Sequence, residues 1–329
     1  MAAATTFEAA SGTFEIPTVD ISPYRVDPSS QAAQEVVQKV KQACTTVGFL
    51  QIVGHGVPRN LQDAALEGQA AFFALPLEEK RKLDRTLPGS CGKGYEVMGT
   101  QEQKRGLGGD TKEGFYISSD ISLSHPLAQA HPYFVGPNKW PPPEVLPYSA
   151  FKDPIDKYLE EMKNLIRVMF SILADGLPYG PNVFDEFLSN EPLAILKPLH
   201  YPPTDKPNAI GSGVHTDFGA LTLLLQDDHP GLEVQYEDNW NPIPPNRDAY
   251  VVNIGDMLHR WTRGQYKSTR HRVAVQKGTT HRYSLPFFFD GNLDCKLVPL
   301  DGVKEGDKVV TVEEHMVERF MSTFLKEKK

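Results

Sequence analysis

Apolar residues recur at helical spacing in three segments of the N-terminal half of the chain. Residues three or four apart lie on one face of an α-helix, so each segment presents an apolar stripe to a core. The pattern predicts amphipathic helices over 31–47, 60–73 and 149–177, with Ser29 or Ser30 capping the first. The longest helix carries its stripe on Ile155, Leu159, Met162, Ile166, Met169 and Leu173. We expect it to pack against the back of a sheet.

After Leu193 the pattern changes to short apolar runs separated by turn-forming residues. The run Leu221–Leu225 is bounded by Gly219 and by the turn segment 227–231, and further runs are separated in the same way. Successive short strands with Gly and Pro turns are typical of two-sheet β architectures. The sequence therefore predicts a mainly β protein with flanking helices, built on a double-stranded β-helix, or jelly-roll, core.

The pattern divides the chain into four regions. They are an N-terminal helix and strand region over 1–148, a scaffold helix over 149–190, the jelly-roll core over 191–295 and a C-terminal helix over 296–329. The first region ends in an irregular glycine-rich stretch that includes Gly89, Gly92, Gly94, Gly106, Gly108 and Gly109. Long irregular loops often form binding walls. The predicted substrate contacts in this stretch are Tyr95, Lys112, Phe115 and Tyr116.

Composition excludes several classes of partner. The 329 residues carry a formal net charge of −8, with 40% hydrophobic and 23% charged residues. An acidic chain without a basic stripe does not favour nucleic acid. No apolar run is long enough to cross a membrane, and three cysteines without metal or redox spacing favour a reducing compartment. We expect a cytoplasmic monomer that acts on a small molecule, without nucleic-acid or membrane partners.

Three residues of the C-terminal half form a candidate metal site. His215 and Asp217 are two positions apart beside a predicted strand, so their side chains share a face. His271 lies on a second predicted strand, Ser268–Val275, and provides a third ligand. Two imidazoles and one carboxylate on one face of an ion suit oxygen-activating ferrous iron. The same donors also bind zinc, so the three residues alone leave an oxidase and a hydrolase open.

A second pair favours the iron enzyme. Arg282 and Ser284 are again two positions apart, and a guanidinium beside a hydroxyl matches a carboxylate. A zinc hydrolase has no evident use for this pair. A salt bridge from Arg282 to a neighbouring carboxylate is the alternative role for this residue.

These motifs together resemble the iron(II)- and 2-oxoglutarate-dependent dioxygenases. The resemblance is strongest to the branch that contains isopenicillin N synthase, aminocyclopropanecarboxylate oxidase and the flavonoid and gibberellin dioxygenases. Further matching segments, in family order, are Ile16–Asp20, Gly48–Gly56, Tyr201–Pro203, Pro230–Val234, Val252–Asp256 and Tyr266–Ser268. The chain departs from the family pattern at Leu199, where relatives often carry Asn, and at Arg263, where they carry Asn before glycine.

The resemblance implies an activity and a role for each motif. Fe(II) would be held by the His215, Asp217 and His271 cluster, and the far carboxylate of 2-oxoglutarate by Arg282 and Ser284. With O2, the enzyme would release succinate and CO2 and oxidise, by default hydroxylate, a small organic molecule of specialised metabolism. Tyr201 would also approach the co-substrate. The aromatic residues expected beside the pocket are Phe218, Phe287 and Phe289.

Two other functions stay open at this point. Relatives that form rings without 2-oxoglutarate also keep the Arg-x-Ser pair. A non-catalytic carboxylate sensor is the second alternative, although a sensor has no need of the complete ligand set.

Overall fold

The computed structural model describes residues 14, 16–99, 110–206 and 209–324. Gly106, Gly108 and Gly109 of the glycine-rich stretch lie outside these residues, as do residues 325–329 of the predicted C-terminal helix region. The α-helices are α1 (Ser22–Val26), α2 (Gln31–Thr46), α3 (Arg59–Phe73), α4 (Leu77–Arg81), α5 (Pro126–Ala130), α6 (Lys152–Asp175), α7 (Asp256–Trp261) and α8 (Val312–Phe324). The strands are β1 (Thr18–Asp20), β2 (Phe49–Val53), β3 (Gly94–Glu96), β4 (Glu113–Tyr116), β5 (Leu193–Leu196), β6 (Leu199–Tyr201), β7 (Ser212–His215), β8 (Leu221–Gln226), β9 (Leu232–Tyr236), β10 (Asn239–Pro242), β11 (Tyr250–Ile254), β12 (His271–Val273) and β13 (Arg282–Gly291).

The three predicted amphipathic helices are confirmed as α2, α3 and α6. The Ser30 side chain accepts a hydrogen bond from the Ala33 amide at 3.1 Å, as expected for an N-cap. The predicted stripe of α6 is fully buried. Within the described residues, no helix has the length and apolar character needed to cross a membrane.

The strands form two sheets. The larger has the order β1-β2-β11-β8-β13-β6-β4-β3, with β5 also pairing β13, and the smaller has the order β10-β9-β12-β7. The pairings are antiparallel except for β1 with β2. An apolar cluster joins the sheets, because Leu232 and Val234 of the smaller pack with Phe49, Leu224 and Val251 of the larger. This double sheet with helices outside is the fold that the strand pattern predicted.

Alternation along β13 assigns its residues to two environments. Side chains of successive strand residues point to opposite faces, so Arg282 and Ser284 share one face and Phe287 and Phe289 the other. The Phe289 ring lies 5.3 Å from that of Phe170 on α6, so this second face contacts the helical layer. The expectation that Phe287 and Phe289 line the pocket is therefore wrong, because they belong to the core behind the sheet.

The β4 strand joins the rest of the sheet over a short length. It pairs β6 at two positions, Glu113 with His200 and Gly114 with Leu199. Its other edge pairs β3. The β3 and β4 strands thus extend the sheet beyond Tyr201 and form one of its ends.

Candidate active site

His215, Asp217 and His271 converge at one end of the two sheets. His271 of β12 is the register partner of His215 of β7. The Oδ1 atom of Asp217 lies 3.8 Å from Nε2 of His215 and 3.5 Å from Nε2 of His271. One donor atom from each residue lies within 4.8 Å of the others, which is close enough for a shared metal ion. The structure thus brings together the three side chains that the sequence analysis assigned to one metal site.

The local backbone differs from the predicted strand. The β7 strand ends at His215, and Asp217 lies in the connection to β8. The Asp217 carbonyl accepts from the Asp256 amide at 2.8 Å, and this bond to the start of α7 replaces a bond within a sheet. The second predicted strand, Ser268–Val275, is likewise shortened to His271–Val273.

Hydrogen bonds fix which atoms of the three residues face the centre. The Nδ1 atoms of His215 and His271 lie 2.7 and 3.1 Å from the carbonyls of Gly213 and Thr269. A carbonyl only accepts, so each Nδ1 carries a proton, and in the neutral imidazole Nε2 then keeps its lone pair. This tautomer is the one that a metal requires of a histidine bound through Nε2.

The Asp217 carboxylate is oriented in the same way. Its Oδ2 atom accepts from Thr222 Oγ1 at 2.6 Å and from Asn253 Nδ2 at 2.7 Å. These bonds leave Oδ1 directed at the two Nε2 atoms. The donor set of two imidazole nitrogens and one carboxylate oxygen fits a divalent metal ion.

Burial and mutual charge set the protonation of the cluster. Burial, with the neighbouring His271, lowers the pKa of His215 to about 3. Burial alone would raise the pKa of Asp217, but the two imidazoles and the Asn253 amide hold it well below its usual range. Neutral His215 and ionised Asp217 are the forms that coordinate a cation.

Arg282 has an unpaired donor in a buried position. Its Nε donates to the His229 carbonyl at 3.2 Å and its Nη2 to Gln226 Oε1 at 2.9 Å. Its Nη1 is buried and finds no hydrogen-bond partner within the described chain. The guanidinium lies 4.9 Å from the centre of the Tyr201 ring, and Ser284 is buried on the same strand face. A buried unpaired guanidinium nitrogen is costly, so this position fits a ligand carboxylate.

The predicted substrate contacts divide between two faces of the sheet. The Lys112 ammonium pairs with the Asp110 carboxylate and donates to Ser212 Oγ on β7 at 3.2 Å, which places it near His215. The Tyr116 hydroxyl donates to Glu96 Oε1 at 3.1 Å on this same side.

Tyr95 and Phe115 face the other way. The Phe115 ring packs 4.5 Å from Phe72 of α3, and the Tyr95 hydroxyl donates to Glu113 at 2.5 Å. Their prediction as substrate contacts is wrong, because strand alternation directs them to the helical layer.

Several residues of the site escaped the sequence reasoning. Phe288 shares the Arg282 face and pairs in register with Thr222, the residue that holds Asp217. Asp290, two positions further on, is buried, and burial with nearby Asp217 raises its pKa to about 7. The parity of β13 positions relative to Arg282 would have found both. Asn253 lies in the matching segment Val252–Asp256, but its contact with Asp217 depends on the pairing of β11 with β8, which no local pattern gives.

Comparison with known proteins agrees with this site. Residues 189–291 match the model of the 2OG-Fe(II) oxygenase superfamily, and residues 16–143 match the model described as non-haem dioxygenase in morphine synthesis N-terminal. The chain is 48% identical over 321 residues to 2-oxoglutarate-dependent dioxygenase citB of Monascus ruber, covering 94% of this chain and 96% of the relative. It is 44% identical to clavatol oxidase claD of Penicillium crustosum, covering 94% and 97%.

A solved structure gives the same result. A full-length Neurospora crassa protein in complex with alpha-KG, which is 2-oxoglutarate, matches with a TM-score of 0.79 at 26% identity, covering 94% of this chain and 96% of that one. The fold and the two-histidine, one-carboxylate cluster thus define a non-haem iron oxygenase. The chain belongs to the 2OG-Fe(II) oxygenase superfamily. It is a 2-oxoglutarate-dependent dioxygenase that uses Fe(II), 2-oxoglutarate and O2 to oxidise a small organic molecule.

Proposed function

We propose that this enzyme hydroxylates a small secondary metabolite, with its iron held by His215, Asp217 and His271. The convergence of Asp217 Oδ1 with the two Nε2 atoms supports this assignment. When bound, the iron supplies the oxidising chemistry for the substrate and the co-substrate. The protein orients the donors through Gly213, Thr269 and Asn253.

The same proposal gives the far carboxylate of 2-oxoglutarate to Arg282, Ser284 and Tyr201. The observation that carries it is the buried Nη1 of Arg282, which has no partner among the described residues. A carboxylate there restores the missing hydrogen bond and neutralises a buried cation. The Tyr201 ring covers one side of the guanidinium, at 4.9 Å from its centre.

The substrate occupies the side of the metal cluster bounded by Lys112, Tyr116 and Phe218 in this proposal. Lys112 and Tyr116 bring polar groups, whereas Phe218 and Phe288 bring apolar surface. A pocket of mixed character suits a small molecule with one oxygenated edge. In this proposal Lys112, which pairs with Asp110 and bonds to Ser212, influences which edge of the substrate faces the metal.

The relatives suggest the first probes. Clavatol is named in the Penicillium crustosum relative, and thymine is present in another solved structure of the Neurospora crassa protein. Both are small organic molecules, so a panel of compounds of similar size is the place to begin.

We propose that the protein is a cytoplasmic monomer. Sedimentation at micromolar concentration tests whether it is monomeric.

The decisive experiment measures succinate against product. The iron-loaded protein is prepared without oxygen, mixed with 2-oxoglutarate and a candidate substrate, and then exposed to O2. One succinate per hydroxylated product is expected, with a product mass gain of one oxygen atom. Product without succinate would instead establish an oxidase that does not need 2-oxoglutarate. His215→Ala is the matched control, and it should yield neither compound.

A further inference from the structure

Asp256, the first residue of α7, bonds directly to the Asp217 backbone and reaches His215 and His271 through nearby residues. Its amide donates to the Asp217 carbonyl at 2.8 Å. Its Oδ2 atom accepts at 3.0 Å from the hydroxyl of Thr216, which lies between His215 and Asp217. Its Oδ1 atom accepts from the Ser268 hydroxyl at 2.7 Å, and the next residue, Thr269, provides the carbonyl that orients His271. One carboxylate therefore links the two arms of the site, which are the segment that bears His215 and Asp217 and the segment that bears His271.

The C-terminal helix α8 completes this link. Arg319 pairs through Nη2 with Oδ2 of Asp256 at 2.6 Å and also donates to Thr216 Oγ1 at 3.4 Å. Its guanidinium lies 4.7 Å from the centre of the Phe218 ring. One turn earlier, His315 Nε2 donates to the Phe218 carbonyl at 2.9 Å. The helix thus contacts the chain on both sides of Asp217.

From these contacts we infer that Asp256 and Arg319 are positioning residues, which hold the two arms of the metal site at their binding separation. The inference rests on the assignment of the metal to His215, Asp217 and His271. Neither residue belongs to the ligand set. Both act through the residues beside the ligands.

The geometry gives the physical reason. The β7 strand ends at His215, so the described sheet ladder does not extend to Thr216 or Asp217. The connection to β8 has five residues, 216–220, and without side-chain contacts its first part would sample several backbone conformations. A metal site tolerates displacements of only about 0.5 Å. The Thr216 hydroxyl contacts both Asp256 and Arg319. The Arg319 guanidinium also compensates the negative charge of the Asp256 carboxylate. Loss of either side chain frees the connection.

The test measures binding of Mn(II) alone to the full-length apoprotein, by titration calorimetry in the absence of 2-oxoglutarate and O2. Outer hydrogen-bonding partners of metal ligands typically affect affinity by about 10- to 100-fold. We expect Arg319→Met and Asp256→Asn each to weaken Mn(II) binding about tenfold, in that same range. Thr216→Val removes the bridging hydroxyl without changing charge and should weaken binding in the same direction. Arg319→Lys keeps a cation within reach of Asp256 and should restore most of the affinity.

Glu318→Gln is the matched control. Glu318 adjoins Arg319 on α8 but pairs with exposed Lys308, at 3.2 Å. Its variant should bind Mn(II) as the natural chain does. Unchanged affinity in Arg319→Met and Thr216→Val overturns the inference, as does equal weakening in Glu318→Gln, which would indicate general loosening of the helix. Wild-type protein that binds no Mn(II), or His215→Ala that binds it normally, overturns the metal assignment itself.

Discussion

The amide of Asn253 donates to Oδ2 of Asp217 at 2.7 Å, from a strand that pairs with β8 in the larger sheet. Together with the Thr222 hydroxyl, this bond turns the carboxylate so that its other oxygen faces the two imidazoles. The orientation of a loop carboxylate is thus set by the register of the sheet beneath it. An amide also donates without adding a charge that would repel a cation.

Replacing this amide should weaken the metal site. We expect Asn253→Leu to lower Fe(II) affinity by about 10- to 100-fold, because a freed carboxylate samples other rotamers. Anaerobic titration of the apoprotein with Fe(II) measures this affinity. Asn241→Ala is the control, since the Asn241 amide donates to the exposed Asn239 carbonyl, away from the ligands. Equal iron affinity in both variants would contradict the role of Asn253.

Arg282 should determine the 2-oxoglutarate requirement. A hydrogen bond to a charged group contributes about 1.5–3 kcal/mol, so Arg282→Met should raise the KM for 2-oxoglutarate at least tenfold. The smaller Ser284→Ala change should raise it by less. Metal binding should persist in both variants, because neither residue belongs to the triad. Steady-state succinate formation gives KM and kcat separately. A normal KM in Arg282→Met would remove the co-substrate from this position.

Gly255 should not tolerate a side chain. A Cβ atom there would lie 2.1 Å from the Gly219 carbonyl oxygen and 3.2 Å from that of Asp217, both backbone atoms of the ligand loop. Gly255→Ala should therefore displace the loop, with a stability cost of about 1–3 kcal/mol and loss of metal binding. Gly278→Ala is a useful comparison, because open space surrounds Gly278, although its φ of +69° adds some backbone strain. Urea unfolding and metal titration of the two variants measure the difference.

The two faces of β4 can be separated by mutation. Phe115 is fully buried against the helical layer, so Phe115→Ala should cost about 3–5 kcal/mol of unfolding free energy. Tyr116→Phe removes only a hydroxyl on the pocket side and should change substrate KM far more than the co-substrate KM. Urea unfolding and product assays distinguish them. A substrate effect confined to Phe115→Leu, which keeps an apolar side chain, would reverse the assignment of faces.

The Glu113 carboxylate should make the free energy of unfolding depend on pH in the acid range. Burial would raise its pKa, but hydrogen bonds from His200, Lys80 and Tyr95 lower it below the ordinary value of 4.5. A lowered carboxyl pKa stabilises the fold above pH 4.5, and this contribution is lost as the pH falls towards the folded-state value. Unfolding free energy should fall over this interval in the natural chain and change less in Glu113→Gln. Glu160→Gln, an exposed change, should leave the pH profile as it is.

Short-range patterns predicted the parts of the site that lie close together in sequence. The i, i+2 spacing placed Arg282 and Ser284 on one face, and helical periodicity located α2, α3 and α6. The same parity argument, extended along β13, excludes Phe287 and Phe289 from the pocket and selects Phe288. The error at these positions was thus one that the sequence could have corrected.

Other features depend on long-range packing. The contacts of Asp256 with Thr216, Ser268 and Arg319 join three segments that are far apart in the chain. The β7 strand ends at His215, and the Asp217 carbonyl bonds to the Asp256 amide, a partner that no local residue pattern predicts. Patterns along the chain report periodicity and turn chemistry, and they do not encode which distant segments meet.

The junction of β4 with β6 has a consequence for how new specificities arise in this scaffold. Two residue pairs join the end of the sheet that bears Tyr116 to the part that bears Tyr201 and the residues facing Arg282. The Ile117–Leu196 bridge, the buried Glu113–His200 contact and the buried Lys197–Glu96 ion pair add further links, so changes in the end strands act on the strands beside Arg282. Selection for a different metabolite can therefore reshape this end of the sheet only through changes that keep or replace those buried links.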